Sequence, residues 1–68
     1  MSLYRYRIDF SALSMEERSA LMDRIDAYSF TGLQIADGFQ SGQFFLDEHQ
    51  DPAVLDIPDG CYLTRLYS

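Results

Sequence analysis

Between Leu3 and Phe10 apolar and polar side chains alternate one for one: Tyr4, Tyr6, Ile8 and Phe10 share one side, Arg5, Arg7 and Asp9 the other. A period of two marks a β-strand with one buried face, and an aromatic and β-branched face packs well on a pleated surface. The period changes after Ser14. Leu21, Ile25 and Tyr28 recur at i, i+4 and i+7 with Met22 beside them, the stripe of an amphipathic helix. Ser14-Met15-Glu16-Glu17 supplies its start, because S-x-x-E is the spacing at which hydroxyl and carboxylate each satisfy a free amide of the first turn. The pattern predicts a helix over 15–29, with Gly32 placed to end it or the turn after it.

Residues 33–48 read as a hairpin in which two turn signals compete, Asp37-Gly38 and Ser41-Gly42. A two-residue turn at the first sets Ile35 opposite Gln40 and Leu33 opposite Gly42, which wastes the apolar face. A turn at the second sets Phe39 opposite Phe44 and Asp37 opposite Leu46, and gathers Leu33, Ile35, Phe39, Phe44 and Leu46 on one side. Pairing favours the second register, with Asp37 on the inner face unless a bulge at Gly38 turns it outward.

Pro52 and Pro58 limit 47–59 to a loop with one short helical turn, started by Asp51 as N-cap with Pro52 at the first helical position. Asp59-Gly60 makes a turn. Residues 61–67 form a last strand with Tyr62, Thr64 and Leu66 on one side and Cys61, Leu63, Arg65 and Tyr67 on the other, both sides carrying apolar groups, so the pattern leaves its facing open.

The expected fold class is α+β: a small antiparallel sheet in the order strand, helix, strand, strand, short helix or turn, strand, with one main helix packed on one face. That order is compatible with a truncated ferredoxin-like arrangement. The other face is left open and carries Arg5, Arg7, Gln34, Gln43 and Phe45, and an uncovered sheet face with a large aromatic is a contact surface. A chain of 68 residues leaves room for one domain over 1–68, whose core supplies only about 3–5 kcal/mol. With one cysteine, Cys61, and no apolar run long enough to span a bilayer, the expected setting is cytoplasmic and away from membranes.

Charge sharpens this picture. The chain carries −6, and all five of its basic residues are arginines. Residues 1–30 hold five acids against four arginines, while residues 31–68 hold Asp37, Asp47, Glu48, Asp51, Asp56 and Asp59 against Arg65 alone, a net −5. A surface of that sign repels nucleic-acid phosphate and steers encounter with basic partners, although solubility alone explains a charge of this size in a small domain. Asp23 and Asp26 add an anomaly, since negative charge toward a helix C-terminus opposes the helix dipole.

The candidate chemistry is thin. Asp47-x-His49-x-Asp51 offers ligands at alternate positions, but as a calcium loop it puts Pro52 where glycine is needed and Pro58 where a bidentate glutamate is needed, so a solvated acidic loop is favoured and no metal or cofactor is expected. His49 and Cys61 form the one conceivable nucleophile–base pair, yet a catalytic thiolate needs a positive neighbourhood that this acidic half lacks. Gly38-x-x-x-Gly42 lacks the strand-to-helix context and the lysine of a phosphate loop. Arg5, Arg7 and Phe45 resemble the way some open sheets stack bases, but a −6 chain is repelled at every phosphate, so direct nucleic-acid binding is not expected.

The expectation is therefore a small acidic protein-binding module rather than an enzyme, occupying a basic site on a partner protein, such as the nucleic-acid channel of an enzyme, as compact viral inhibitors do. Its contact residues are Asp47, Glu48, Asp51, Asp56 and Asp59 as one patch, Asp23 and Asp26 as a second, and an anchoring aromatic, Phe45 or Tyr67. The alternative is a self-associating subunit of a larger assembly, a homodimer built on free strand edges or the open face.

Overall fold

A computed structural model describes residues 2–66. It comprises β1 (Leu3–Asp9), α1 (Met15–Tyr28), β2 (Gln34–Ala36), β3 (Ser41–Asp47), a 3-10 turn (Pro52–Leu55) and β4 (Tyr62–Leu66). The strands form one sheet in the order β2-β3-β1-β4 with every neighbouring pair antiparallel. Such an order arises when each of two crossovers leaves room for one strand between the strands it joins. The first crossover is α1; the second carries only the four-residue 3-10 turn, so the fold is a small α+β one whose strand order is compatible with a truncated ferredoxin-like arrangement.

The alternation in β1 decides where the core lies. Tyr6, Ile8 and Phe10 point to the helix side, and the β1–β3 register brings Tyr6 opposite Phe44 and Tyr4 opposite Leu46, so both central strands present their apolar rows to the same layer. Leu21 and Ile25 of α1, Leu13 and Leu55 of the 3-10 turn close that layer. The Tyr6 and Phe44 rings stack with centroids 5.5 Å apart, and Phe39 meets Phe10 edge-on.

The start of α1 is the predicted capping box. The Glu17 amide donates to Ser14 Oγ at 3.2 Å, and the Ser14 amide donates to Glu17 Oε1 at 3.1 Å. The Ser14 amide, and after it the Ser14 hydroxyl, hold the Glu17 carboxyl below its ordinary range. Asp9 is lowered in the same way by the Ser11 amide and hydroxyl, with smaller help from Arg7 and Arg18. A carboxyl depressed by folding adds stability that is complete above its unfolded value, about 4, and is lost as pH falls through the folded value. The urea midpoint should therefore decline on acidification from pH 5 to pH 3, and the decline should be shallower in Glu17→Gln, whose amide keeps the geometry of the box without the titration.

The hairpin differs from both registers read from the sequence. Gln34 pairs with Gln43, Ile35 with Gly42 and Ala36 with Ser41, so Ser41-Gly42 lies inside β3 and the turn runs over 37–40. Asp37, Gly38 and Phe39 are consecutive left-handed residues, with φ of 54°, 63° and 66°. This turn folds Phe39 back onto Phe10, which partly buries its ring against the core without pairing it to Phe44. Asp37 is exposed, and its Oδ2 accepts from Ser41 Oγ at 3.0 Å. Gly42 is required by proximity rather than by a turn: a Cβ there would stand 2.8 Å from Leu33 Cδ1 and 2.9 Å from the Gln34 carbonyl oxygen.

Asp51 caps the 3-10 turn through Ala53 N, with Pro52 at its first position, as the sequence indicates. The β4 register resolves the facing of the last strand. Leu63 lies opposite Ile8 and Arg65 opposite Tyr6 on the helix side, while Tyr62, Thr64 and Leu66 join the open face. Tyr67, a possible anchor, falls outside the described residues. No helix among the described residues is long and apolar enough to cross a membrane.

Candidate functional site

The acidic segment after β3 is held by its backbone, which leaves its side chains at the surface. It runs along α1 from the C-terminal end toward the N-terminal end. At the first station Gln50 Nε2 donates to the Tyr28 carbonyl at 2.7 Å, and the Asp51 amide donates to Tyr28 Oη at 2.9 Å. At the second, Arg24 donates through Nε to the Leu55 carbonyl and through Nη2 to the Asp56 carbonyl, each at 3.1 Å. At the third, Gly60 comes up to Ala12, just before the helix begins. Asp47, Glu48 and Asp51 thus lie at one end, Asp56 midway and Asp59 toward the other. The predicted patch is a stripe with the length of the helix, about 20 Å at 1.5 Å per residue.

The carboxylates of this stripe divide into two kinds. Asp47 Oδ1 accepts from the His49 amide and Asp51 Oδ1 from the Ala53 amide, so these two order the segment as well as charging it, while Glu48 Oε2 accepts from the Ser2 amide and ties it to the start of β1. Asp56 and Asp59 are exposed and make no side-chain hydrogen bond among the described residues. Asp56 itself is left-handed, φ 52°. The second predicted patch divides the same way. Asp23 and Asp26 are neighbours on the outer surface of α1, three residues apart; Asp26 Oδ1 accepts from the Leu33 amide at 2.7 Å and closes the turn after the helix, while Asp23 makes no such bond among the described residues. That bond to Leu33 accounts for an acid at an electrostatically poor position.

Arg18 and Arg24 leave these charges uncompensated, and their role is invisible in the sequence. Arg18 donates from Nε to the Leu13 carbonyl, from Nη1 to Phe39 and from Nη2 to Ser11, at 3.0, 2.7 and 2.7 Å. Both guanidiniums are thus directed at backbone carbonyls, and among the described residues neither pairs with a carboxylate. Among the described residues the one ion contact along the stripe is Glu48 with His49, 3.6 Å apart and exposed.

The opposite surface is the open sheet face, and its side chains form rows. Leu66, Arg5 and Phe45 lie abreast on β4, β1 and β3; Thr64, Arg7, Gln43 and Gln34 form the next row. Phe45, expected as an anchor, is half-buried here. Where the pairing of described residues ends at Arg5 and Leu66, a cleft of about 390 Å³ opens, lined by Ser2, Leu3, Tyr4, Arg5, Phe45, Arg65 and Leu66. The Arg65 guanidinium lies over the Tyr4 ring, 4.9 Å from its centroid. The Nε of Arg5 is sealed from solvent and meets no acceptor among the described residues.

Cys61 and His49 are not brought together. Cys61 lies on the helix side at the start of β4, close enough to Asp9 and Glu17 to feel their charge, while His49 is an exposed side chain in the turn after β3. Burial, and after it the charges of Asp9 and Glu17, push the Cys61 thiol above its ordinary range, the reverse of what a nucleophilic thiolate needs. Among the described residues no three potential metal ligands converge. Comparison with protein-family models, with curated proteins and with solved structures finds no match for the chain.

Proposed function

We propose that this chain is a small acidic protein-binding module whose carboxylate stripe occupies a basic site on a partner protein, of the kind that nucleic acid otherwise fills. The observation that carries the reading is the stripe itself: Asp47, Glu48, Asp51, Asp56 and Asp59 are displayed along one flank while Arg18 and Arg24 are turned to backbone carbonyls. A row of uncompensated charge about 20 Å long raises the on-rate for a basic partner and selects against acidic ones, and exposed Asp23 extends it onto the outer surface of α1. A cytoplasmic setting and a binding rather than catalytic role go with this reading.

The variant that tests it keeps the local hydrogen bonds. Alanine would remove the turn bond of Asp47 to the His49 amide and the cap at Asp51, each worth about 1 kcal/mol, and strain the left-handed Asp56. Asp47→Asn, Glu48→Gln, Asp51→Asn, Asp56→Asn and Asp59→Asn together retain acceptors and change the net charge from −6 to −1. In affinity capture from lysate of the organism that encodes the chain, one basic partner should be retained at low salt and released at high salt. The fivefold variant should retain at most about a tenth as much. Equal retention by both proteins contradicts the proposal.

Self-association is the second reading. It draws on the open sheet face around Phe45 and on the two sheet edges, where Ile35 on the three-residue β2 and Tyr62 on β4 are exposed. A dimer mass that is insensitive to salt and is lost in Phe45→Glu marks it.

A further inference from the structure

We infer that the cleft at the end of the open sheet face binds a small molecule with a flat apolar body and a single oxyanion head, a carboxylate or a phosphate monoester. The head belongs at Arg5. Its guanidinium stands in a row between Leu66 and Phe45 with Leu3 two positions before it, so its stem is walled by apolar groups. Its Nε is buried without an acceptor, and no carboxylate among the described residues comes within ion-pairing distance of it. A planar cation with directed N–H donors, held against low-dielectric walls, is matched by a carboxylate or phosphate. The body belongs against Phe45, Leu3 and Leu66, and a cleft of about 390 Å³ is within the range of small-molecule sites.

The surrounding charge sets the size of the anion. Arg65 adds a second cation on the wall beside Tyr4. Asp47, opposite Leu3, and Glu48, bonded to the Ser2 amide, stand near the mouth. Repulsion from these two and from the −6 chain grows with the charge of the ligand, so a singly or doubly charged molecule is admitted and a polyanion is rejected. Asp47 and Glu48 belong to the end of the acidic stripe as well as to this mouth, so the two activities are separated through Arg5: Arg5→Gln removes the cation of the cleft and leaves every carboxylate of the stripe in place.

The test is a titration of the isotope-labelled chain followed by amide chemical shifts, with benzoate and phenyl phosphate as probes and benzyl alcohol and inorganic phosphate as the body and head alone. The two anionic aromatics should move the amides of Leu3, Arg5, Phe45 and Leu66 saturably, with a Kd of about 1 mM or tighter, and each half alone should bind at least about tenfold more weakly. The tighter of the two aromatics identifies the head. Arg5→Gln should weaken both about tenfold or more, with Arg7→Gln leaving them unchanged. Non-saturating or scattered shifts, or benzyl alcohol binding as well as benzoate, overturn the inference without reliance on any variant.

Discussion

Phe44→Ala should lower the unfolding free energy by about 3–5 kcal/mol and leave the chain substantially unfolded at 37 °C. Phe44 is fully buried at the centre of β3, pairs with Tyr6 across the two central strands and stacks on its ring. The same ring sits in the cluster that Leu21 and Ile25 of α1 complete, so its loss opens a cavity where sheet and helix meet. A core in a domain of this size supplies about 3–5 kcal/mol net, which is the size of the expected loss. Phe44→Leu refills part of the space and should lose about 1–2 kcal/mol. Urea denaturation followed by far-ultraviolet circular dichroism measures both, and an alanine variant with an unchanged midpoint rules out this packing.

Arg18→Met should cost about 2–3 kcal/mol, the second-largest effect. Three carbonyls belonging to the loop after β1 and to the β2–β3 turn converge on one guanidinium, with Phe39 twenty-one residues away in sequence. Methionine keeps most of the stem's packing and removes all three charge-assisted bonds, leaving part-buried acceptors. Arg18→Lys should recover little, because a single ammonium cannot reach three diverging acceptors as the fork does. Amide exchange at Phe39 and Gln40 should quicken in both variants, since the turn loses its tie to α1; a Lys variant as stable as the parent contradicts the geometry.

The elements legible in the sequence are those whose signals are local. The alternation of β1, the Ser14–Glu17 box and the Asp51-Pro52 start each need only a few adjacent residues, and all three appear in the structure. The hairpin was not legible in this way. Maximising cross-strand pairs assigned Gly42 to a turn, whereas the close approach of Leu33 and the Gln34 carbonyl makes it a strand residue, and Phe39 reaches the core through a left-handed turn rather than a cross-strand pair. The facing of β4 depends on its register against β1, which apolar residues on both of its sides do not specify.

The acidic residues could be read, but their order along α1 could not. That order rests on contacts such as Arg24 to Leu55, thirty-one residues apart. The open face was anticipated through Arg5, Arg7 and Phe45; the cleft was not, because Leu66 and Arg65 enter it only once β4 is placed beside β1.

The central claim is that the carboxylate stripe takes the place of nucleic acid on a partner. It is tested most directly by competition: the captured partner is bound to a labelled oligonucleotide, and this chain or its fivefold amide variant is titrated in. The account predicts that the parent chain displaces the oligonucleotide at one equivalent of occupied partner, while the variant needs a concentration at least about tenfold higher. A ternary complex of partner, oligonucleotide and chain, or equal displacement by parent and variant, contradicts it.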